Sequence, residues 1–177
     1  AIEEETGRLS QFVVNLLDGL RRQWGDANVA YHDGRDVAAA ARLASVCDAA
    51  VVVAGCRPED EGENLYSNHR PGKAHEVGRG GDREDLALAP AQAALVRAVG
   101  AANARSTLVL IGGSAILTDD CCEAVAAIVM AWYPGMMGGP ALARLLSGEV
   151  DFSGRLPFSW PAAGNRLPTF EPLAATA

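Results

Sequence analysis

Residues 49–55, AAVVVAG, constrain the fold of this chain most strongly. A run so uniformly apolar and β-branched suits a strand covered on both faces, which is the situation in parallel sheets. Two further runs have the same character, at 107–111 and 126–132. Stretches of helical periodicity stand before, between and after them. Residues 12–23 place Phe12, Val13, Leu16, Leu17 and Leu20 on one helical face, and residues 36–46 are alanine-rich. Residues 90–103 open on Pro90, which suits a first helical turn, and carry Ala94, Leu95, Ala98 and Val99 on one face. A short helix is expected at 119–125 and a longer one at 138–147. A short strand is expected at 29–31, ahead of the turn His32-Asp33-Gly34-Arg35.

Alternating strands and helices imply an α/β fold. The expected form is a three-layer sandwich, a mostly parallel sheet flanked by helices. Ligands in such folds bind beyond the carboxyl ends of the strands. The segment 56–85, Gly112-Gly113-Ser114 and Trp132-Tyr133-Pro134-Gly135 each follow a strand and should converge on that edge. Segment 56–85 is polar, rich in Gly and Pro, and long for a connection inside a compact domain, which marks it as functional or disordered.

The totals exclude several classes of function. With 177 residues the chain is expected to form one domain, over 1–161, followed by a proline-containing tail at 162–177. A net charge of −7 argues against nucleic acid or an anionic membrane as partner. No apolar run approaches the ~20 residues of a membrane span, and the opening AIEEETGRLS lacks the apolar stretch of a signal peptide. Cys47, Cys56, Cys121 and Cys122 match no zinc spacing and are expected to be buried free thiols. His69 and His75 follow an acidic run but likewise fit no standard metal site, so no metal and no cofactor are expected.

Chemistry is concentrated in Glu59-Asp60-Glu61-Gly62-Glu63, with four carboxylates in five positions. Crowded carboxylates repel, which raises the pKa of some, and a raised carboxyl pKa serves a general acid near neutral pH. By spacing alone a solvated acidic loop is the favoured account. Gly112-Gly113-Ser114 lacks the Lys-Ser/Thr of a phosphate loop, and Ser114 lacks the setting of a serine nucleophile. Tyr133 suits stacking on a sugar face, whereas Trp132 suits packing.

The ordered set AAVVVAG, DEGE, GGDREDLAL, LVRAVGAAN, TLVLIGGSAIL, AIVMAWYPGMMGG and ALARLLSGEVDFSGRLPFSWP resembles the C-terminal α/β sandwich domain of family 3 glycoside hydrolases. The resemblance covers residues 48–161 and extends more weakly over 12–47. It implies a flavodoxin-like topology. It also implies a β-glucosidase-like retaining enzyme in which a separate (β/α)8 barrel supplies the nucleophile and this domain supplies the acid/base glutamate. Glu63, just after a glycine, fills that place, with Glu61 as the alternative. Asp82 and Arg83 match the family's Asp-Arg pair, which orders the loop beside the substrate. A terminal β-glucoside is the implied substrate, with Tyr133 against it.

Three departures from the family pattern bear on function. The barrel, which needs at least ~200 residues, is not in this chain. The family's opening strand, reading like VAVIGP, has no counterpart here, which implies a sheet lacking its first strand. Met137 stands where the family commonly has Glu. A catalytically inactive binding or interaction domain is therefore a competing expectation. A nucleotide- or flavin-binding domain is a third, disfavoured by the missing phosphate signatures.

Overall fold

The computed structural model describes residues 13–56 and 86–162. Helix α1 (Leu16–Trp24) is followed by a single 3-10 turn (Asp26–Asn28), helix α2 (Val37–Ser45) and strand β1 (Ala50–Gly55). Helix α3 (Pro90–Ala102), strand β2 (Ser106–Ile111), a second 3-10 turn (Cys122–Ala124), strand β3 (Ala127–Met130) and helix α4 (Gly138–Leu146) complete the order. The three strands form one parallel sheet, β1-β2-β3, with Val52 opposite Leu108 and Leu108 opposite Ile128. The expected α/β architecture is present.

Local chemistry explains where the helices start. The Asn15 side chain accepts from Asp18 N–H and caps α1, and the Asp36 side chain accepts from Ala39 N–H and caps α2. Pro90 occupies the first turn of α3, where a missing N–H costs nothing. Asn103 ends that helix and is itself a hub. Its carboxamide donates to the carbonyls of Ala44 and Cys47, each at 2.9 Å, and accepts from Arg105 N–H at 2.9 Å. One buried side chain thus ties the end of α2, the approach to β1 and the approach to β2.

The main core lies on the face of the sheet that carries α3. Val52, Ala54, Leu108 and Leu110 meet Ala93, Val96 and Val99 there, with Ala40 and Ala44 of α2 behind. β2 is the central strand, with Leu108 and Val109 wholly buried. α2 packs on α3 and α1 packs on α4; among the described elements α3 alone lies broadly on the strands.

That arrangement corrects four expectations. β1 is not covered on both faces, because Val53 on the second face is 50% exposed. β3 is not a buried strand, since Ala127 and Ile128 are exposed. Residues 29–31 form no strand among the described residues. Val29 has extended dihedrals, φ −121° and ψ 100°, yet no ladder partner stands beside it, and extended backbone without a partner is not a strand. The helix expected at 119–125 contracts to the 3-10 turn at Cys122–Ala124.

Candidate active-site edge

The carboxyl ends of the strands lie on one edge of the sheet. β1 leaves through Gly55, whose φ of +139° and whose approach to the Ile111 carbonyl both exclude a Cβ. Cys56 N–H then donates to Ile111 O at 2.8 Å, holding the exit of β1 against the end of β2. Residues 57–85 lie outside the described residues, and the chain returns at Leu86. There Leu117 N–H donates to Leu86 O at 2.8 Å and Leu88 N–H donates to Leu117 O at 2.9 Å, an isolated parallel bridge between Ala87 and Leu117. The residues flanking 57–85 are therefore fastened, Cys56 to the end of β2 and Leu86 to the chain that follows it.

β3 leaves through Ala131 and Trp132. Trp132 has φ +55°, the only positive value at a non-glycine among the described residues. Its backbone is held by Gly112 N–H, which donates to Trp132 O at 3.4 Å. Its indole meets Phe158 edge-on at 5.9 Å and Trp160 edge-on at 6.3 Å, and Phe158 stacks on Trp160 at 5.6 Å. Trp160 Nε1 donates to Ile116 O at 3.1 Å, which anchors the segment after α4 to the loop after β2. Contact among the three rings, with geometry suited to their quadrupoles, stabilises a backbone that would otherwise be unfavourable at Trp132.

Beside this cluster, Leu110, Thr118, Ile128, Met130, Leu156 and Trp160 line an open apolar cavity of about 290 Å³. A smaller cavity of about 50 Å³ lies where Ala87, Leu88 and Ala93 meet Leu117, Thr118, Asp119, Asp120 and Cys121. Burial pushes the Cys121 thiol up from its ordinary pKa, and the neighbouring Cys122 adds to the effect. Cys47, Cys121 and Cys122 are free thiols, and of the four cysteines only Cys121 is buried; the other three are half-buried. Among the described residues no group of three His, Cys, Asp or Glu is placed to hold a metal ion. No helix of the described residues is long and apolar enough to cross a membrane.

Of the residues singled out in the sequence, Tyr133 stands at this edge, half exposed in the turn after β3. Met137, 59% exposed, precedes the first turn of α4 in that same connection. Glu61, Glu63, Asp82, Arg83, His69 and His75 lie outside the described residues. Phe158, Trp160 and Gln92, whose carboxamide accepts from Gly55 N–H and donates to Gly55 O, were not foreseen. The tail LPFSWP carries a visible signal for the first two, an aromatic pair two residues apart between prolines.

Residues 3–175 match the Glycosyl hydrolase family 3 C-terminal domain. The chain belongs to that family. A β-xylosidase from Formosa agariphila is 30% identical over 90% of this chain and 21% of its own length. A β-glucosidase, BoGH3A, from Bacteroides ovatus is 32% identical over 85% of this chain and 21% of its own length. Among solved structures, the β-D-glucoside glucohydrolase of Trichoderma reesei superposes with a TM-score of 0.70, at 25% identity over 89% of this chain and 22% of that one. The Kluyveromyces marxianus β-glucosidase in complex with glucose gives 0.58 at 32% identity, over 75% of this chain and 14% of that one. The chain thus spans about a fifth of the length of these family 3 relatives.

Proposed function

We propose that this chain is the acid/base-bearing part of a retaining β-glycosidase that removes terminal β-linked glucose, with the nucleophile on a (β/α)8 barrel domain outside it. The observation that carries the reading is the family match across residues 3–175. The fold supports it, because the residues flanking the segment that bears Glu61 and Glu63 are fastened to the carboxyl edge of the sheet.

In this reading a barrel carboxylate attacks the anomeric carbon while Glu63 gives its proton to the departing glycosidic oxygen. An alkoxide is a poor leaving group, so the proton must arrive as the bond breaks. Crowding by Asp60 and Glu61 favours the protonated form of Glu63 before that step. The same residue, now a carboxylate, takes a proton from water and frees the glycosyl-enzyme. Asp82 and Arg83 order the segment beside the sugar, and the Tyr133 ring offers its face to it.

The test uses the chain joined to its barrel domain. Glu63→Ala should slow sugar-leaving substrates by about 100- to 10,000-fold, the usual worth of a positioned acid. Substrates with activated phenol leaving groups should suffer less in the first step, and added azide should restore turnover. Azide rescue of Glu61→Ala instead would exchange the two roles. If neither variant shows the pattern, the acid/base assignment fails and an inactive binding or interaction domain becomes the better reading; exposed Met137, where the family commonly has Glu, is the feature that favours it. Running 4-nitrophenyl β-glucoside beside the β-xyloside decides the sugar, since the relatives carry both names.

A further inference from the structure

Trp132 stands where β3 gives way to the turn that carries Tyr133. Ala131 N–H still donates to Leu110 O at 2.9 Å, so the ladder runs up to that residue. At Trp132 the backbone swings to φ +55°. A glycine adopts that conformation freely, whereas a side chain makes it strained, and the strain persists only where the surroundings impose it. It falls immediately before Tyr133, the one candidate sugar contact that lies among the described residues.

Two rings impose it. Phe158 meets the Trp132 indole edge-on at 5.9 Å, and Trp160 meets it edge-on at 6.3 Å. Trp160 is the anchored member of the pair, because its Nε1 donates to Ile116 O at 3.1 Å and Ile116 is wholly buried. Phe158, more exposed, stacks on Trp160. The far side of Tyr133 is fixed as well. A Cβ on Gly138 would collide with the Pro134 ring, so Pro134 rests directly on the start of α4. Val14 N–H then holds Met136 O at 2.9 Å. Tyr133, half exposed, is carried between two anchored neighbours. Because β3 is held in its ladder up to Ala131, the Trp132 dihedral decides where the Tyr133 ring stands.

We propose that Trp160 is a positioning residue for sugar binding: through Trp132 it sets the backbone that presents the Tyr133 ring to the sugar. This rests on the reading above in which Tyr133 offers its face to the substrate. A ring already held in place loses little freedom on binding, so the support behind it contributes to affinity. Stacking acts on the bound substrate and on the transition state alike, so its loss registers in KM and leaves kcat nearly untouched.

The experiment uses the chain joined to its barrel, assayed on whichever of 4-nitrophenyl β-glucoside and β-xyloside it cleaves. It compares Tyr133→Ala, Trp160→Ala, the double variant, and the pair Trp132→Gly and Trp132→Ala. Tyr133→Ala and Trp160→Ala should each raise KM by about 3- to 10-fold, the usual worth of a ring contact, with kcat changed by less than about 2-fold. The double variant should raise KM no further than Tyr133→Ala alone, because Trp160 acts through that ring. Trp132→Gly, which adopts φ +55° without strain, should keep KM closer to wild type than Trp132→Ala, and this pair carries the test if Trp160→Ala does not fold. KM effects that multiply in the double variant overturn the proposal. So does an unchanged KM in Trp160→Ala while Tyr133→Ala responds, or an equal or reversed order of the two Trp132 variants. If Tyr133→Ala leaves KM unchanged, or the joined enzyme cleaves neither glycoside, the reading above falls and the proposal falls with it.

Discussion

Gly19 of α1 lies directly against the backbone of Gly139 of α4, so close that a Cβ on Gly19 would collide with the Gly139 carbonyl group. The contact is reciprocal in design, since a Cβ on Gly139 would strike the carbonyls of Val14 and Asn15 at the start of α1. Val14 closes the same junction with two bonds, its N–H donating to Met136 O at 2.9 Å and its carbonyl accepting from Gly139 N–H at 3.1 Å. Here the turn after β3, which carries Tyr133, is locked to the helix pair.

Two opposing effects bear on Gly19→Ala. Alanine gains about 1 kcal/mol of helix propensity over glycine. Overpacking against a rigid backbone costs about 1–3 kcal/mol, and no side chain is available to yield. The clash should win, so the variant is expected to unfold at lower denaturant concentration than wild type, as measured by far-UV circular dichroism. A rise in the midpoint would show that the helices do not meet in this way.

Asn103 and Ser106 are both buried polar residues and should respond oppositely. Asn103→Ala leaves two carbonyls and the Arg105 N–H without their partner, and each unsatisfied buried group costs about 1–3 kcal/mol. A loss of about 3 kcal/mol is expected. The Ser106 hydroxyl is wholly buried and has no partner among the described residues. Ser106→Ala should then be neutral or stabilising, within about 1 kcal/mol. Urea titration of the two variants side by side checks both signs.

Much of the fold was legible from residue type. Residues 49–55 and 107–111 became strands because a short, β-branched apolar run has few other uses, and 90–103 became a helix on the strength of Pro90 and its apolar face. What failed depended on partners distant in the chain. Val29–Tyr31 has strand-like residues and even strand-like dihedrals at Val29, but a strand is defined by a neighbour that three residues cannot specify. β3 looked buried because apolar character says nothing of what lies on top of it. Gln92 was invisible for the same reason: a glutamine in an alanine-rich helix announces nothing until Gly55 is found beside it. The acidic segment stood out by composition, yet its residue roles came from the family resemblance.

Among the described residues, Asp36 and Glu149 are the carboxylates held below their usual range, Glu149 by the Arg144 and Gln23 side chains, and part of the acid response of stability should trace to Asp36. The Ala39 N–H it accepts holds its carboxyl below the usual carboxylate range, with a further contribution from the charge of Arg42. A carboxylate depressed in the folded state stabilises above its unfolded pKa, and that contribution is lost as pH falls through the depressed value. Wild type should therefore lose stability below about pH 4. Asp36→Asn keeps a good helix cap but cannot titrate, so it should match wild type near pH 7 and lose less on acidification. Thermal midpoints measured from pH 7 to pH 2.5 show whether the two curves separate as the pH falls; parallel curves would remove Asp36 from the account.

The chain by itself should not hydrolyse aryl β-glucosides or β-xylosides. Retaining cleavage requires two carboxylates about 5–5.5 Å apart, one attacking the anomeric carbon and one serving the leaving oxygen. In the proposed reading this chain provides only the second. An activated phenol lowers the need for the acid but not for the nucleophile, so even the most reactive aryl glycoside should remain intact. The exposed Val53 side chain and the edge of β1, which pairs with no strand among the described residues, favour association of the isolated chain, and association supplies more copies of the acid/base but no nucleophile. The measurement is release of nitrophenol from each glycoside by the purified chain, followed across a gel-filtration profile so that monomer and aggregate are assayed separately. Turnover that co-elutes with the chain and disappears in Glu63→Ala would mean that both carboxylates reside here, and the requirement for a second domain would be wrong. Turnover that persists in Glu63→Ala comes from a contaminating glycosidase or from another pair of groups, which inhibition by a mechanism-based fluoroglycoside and mass analysis of the labelled peptide would separate.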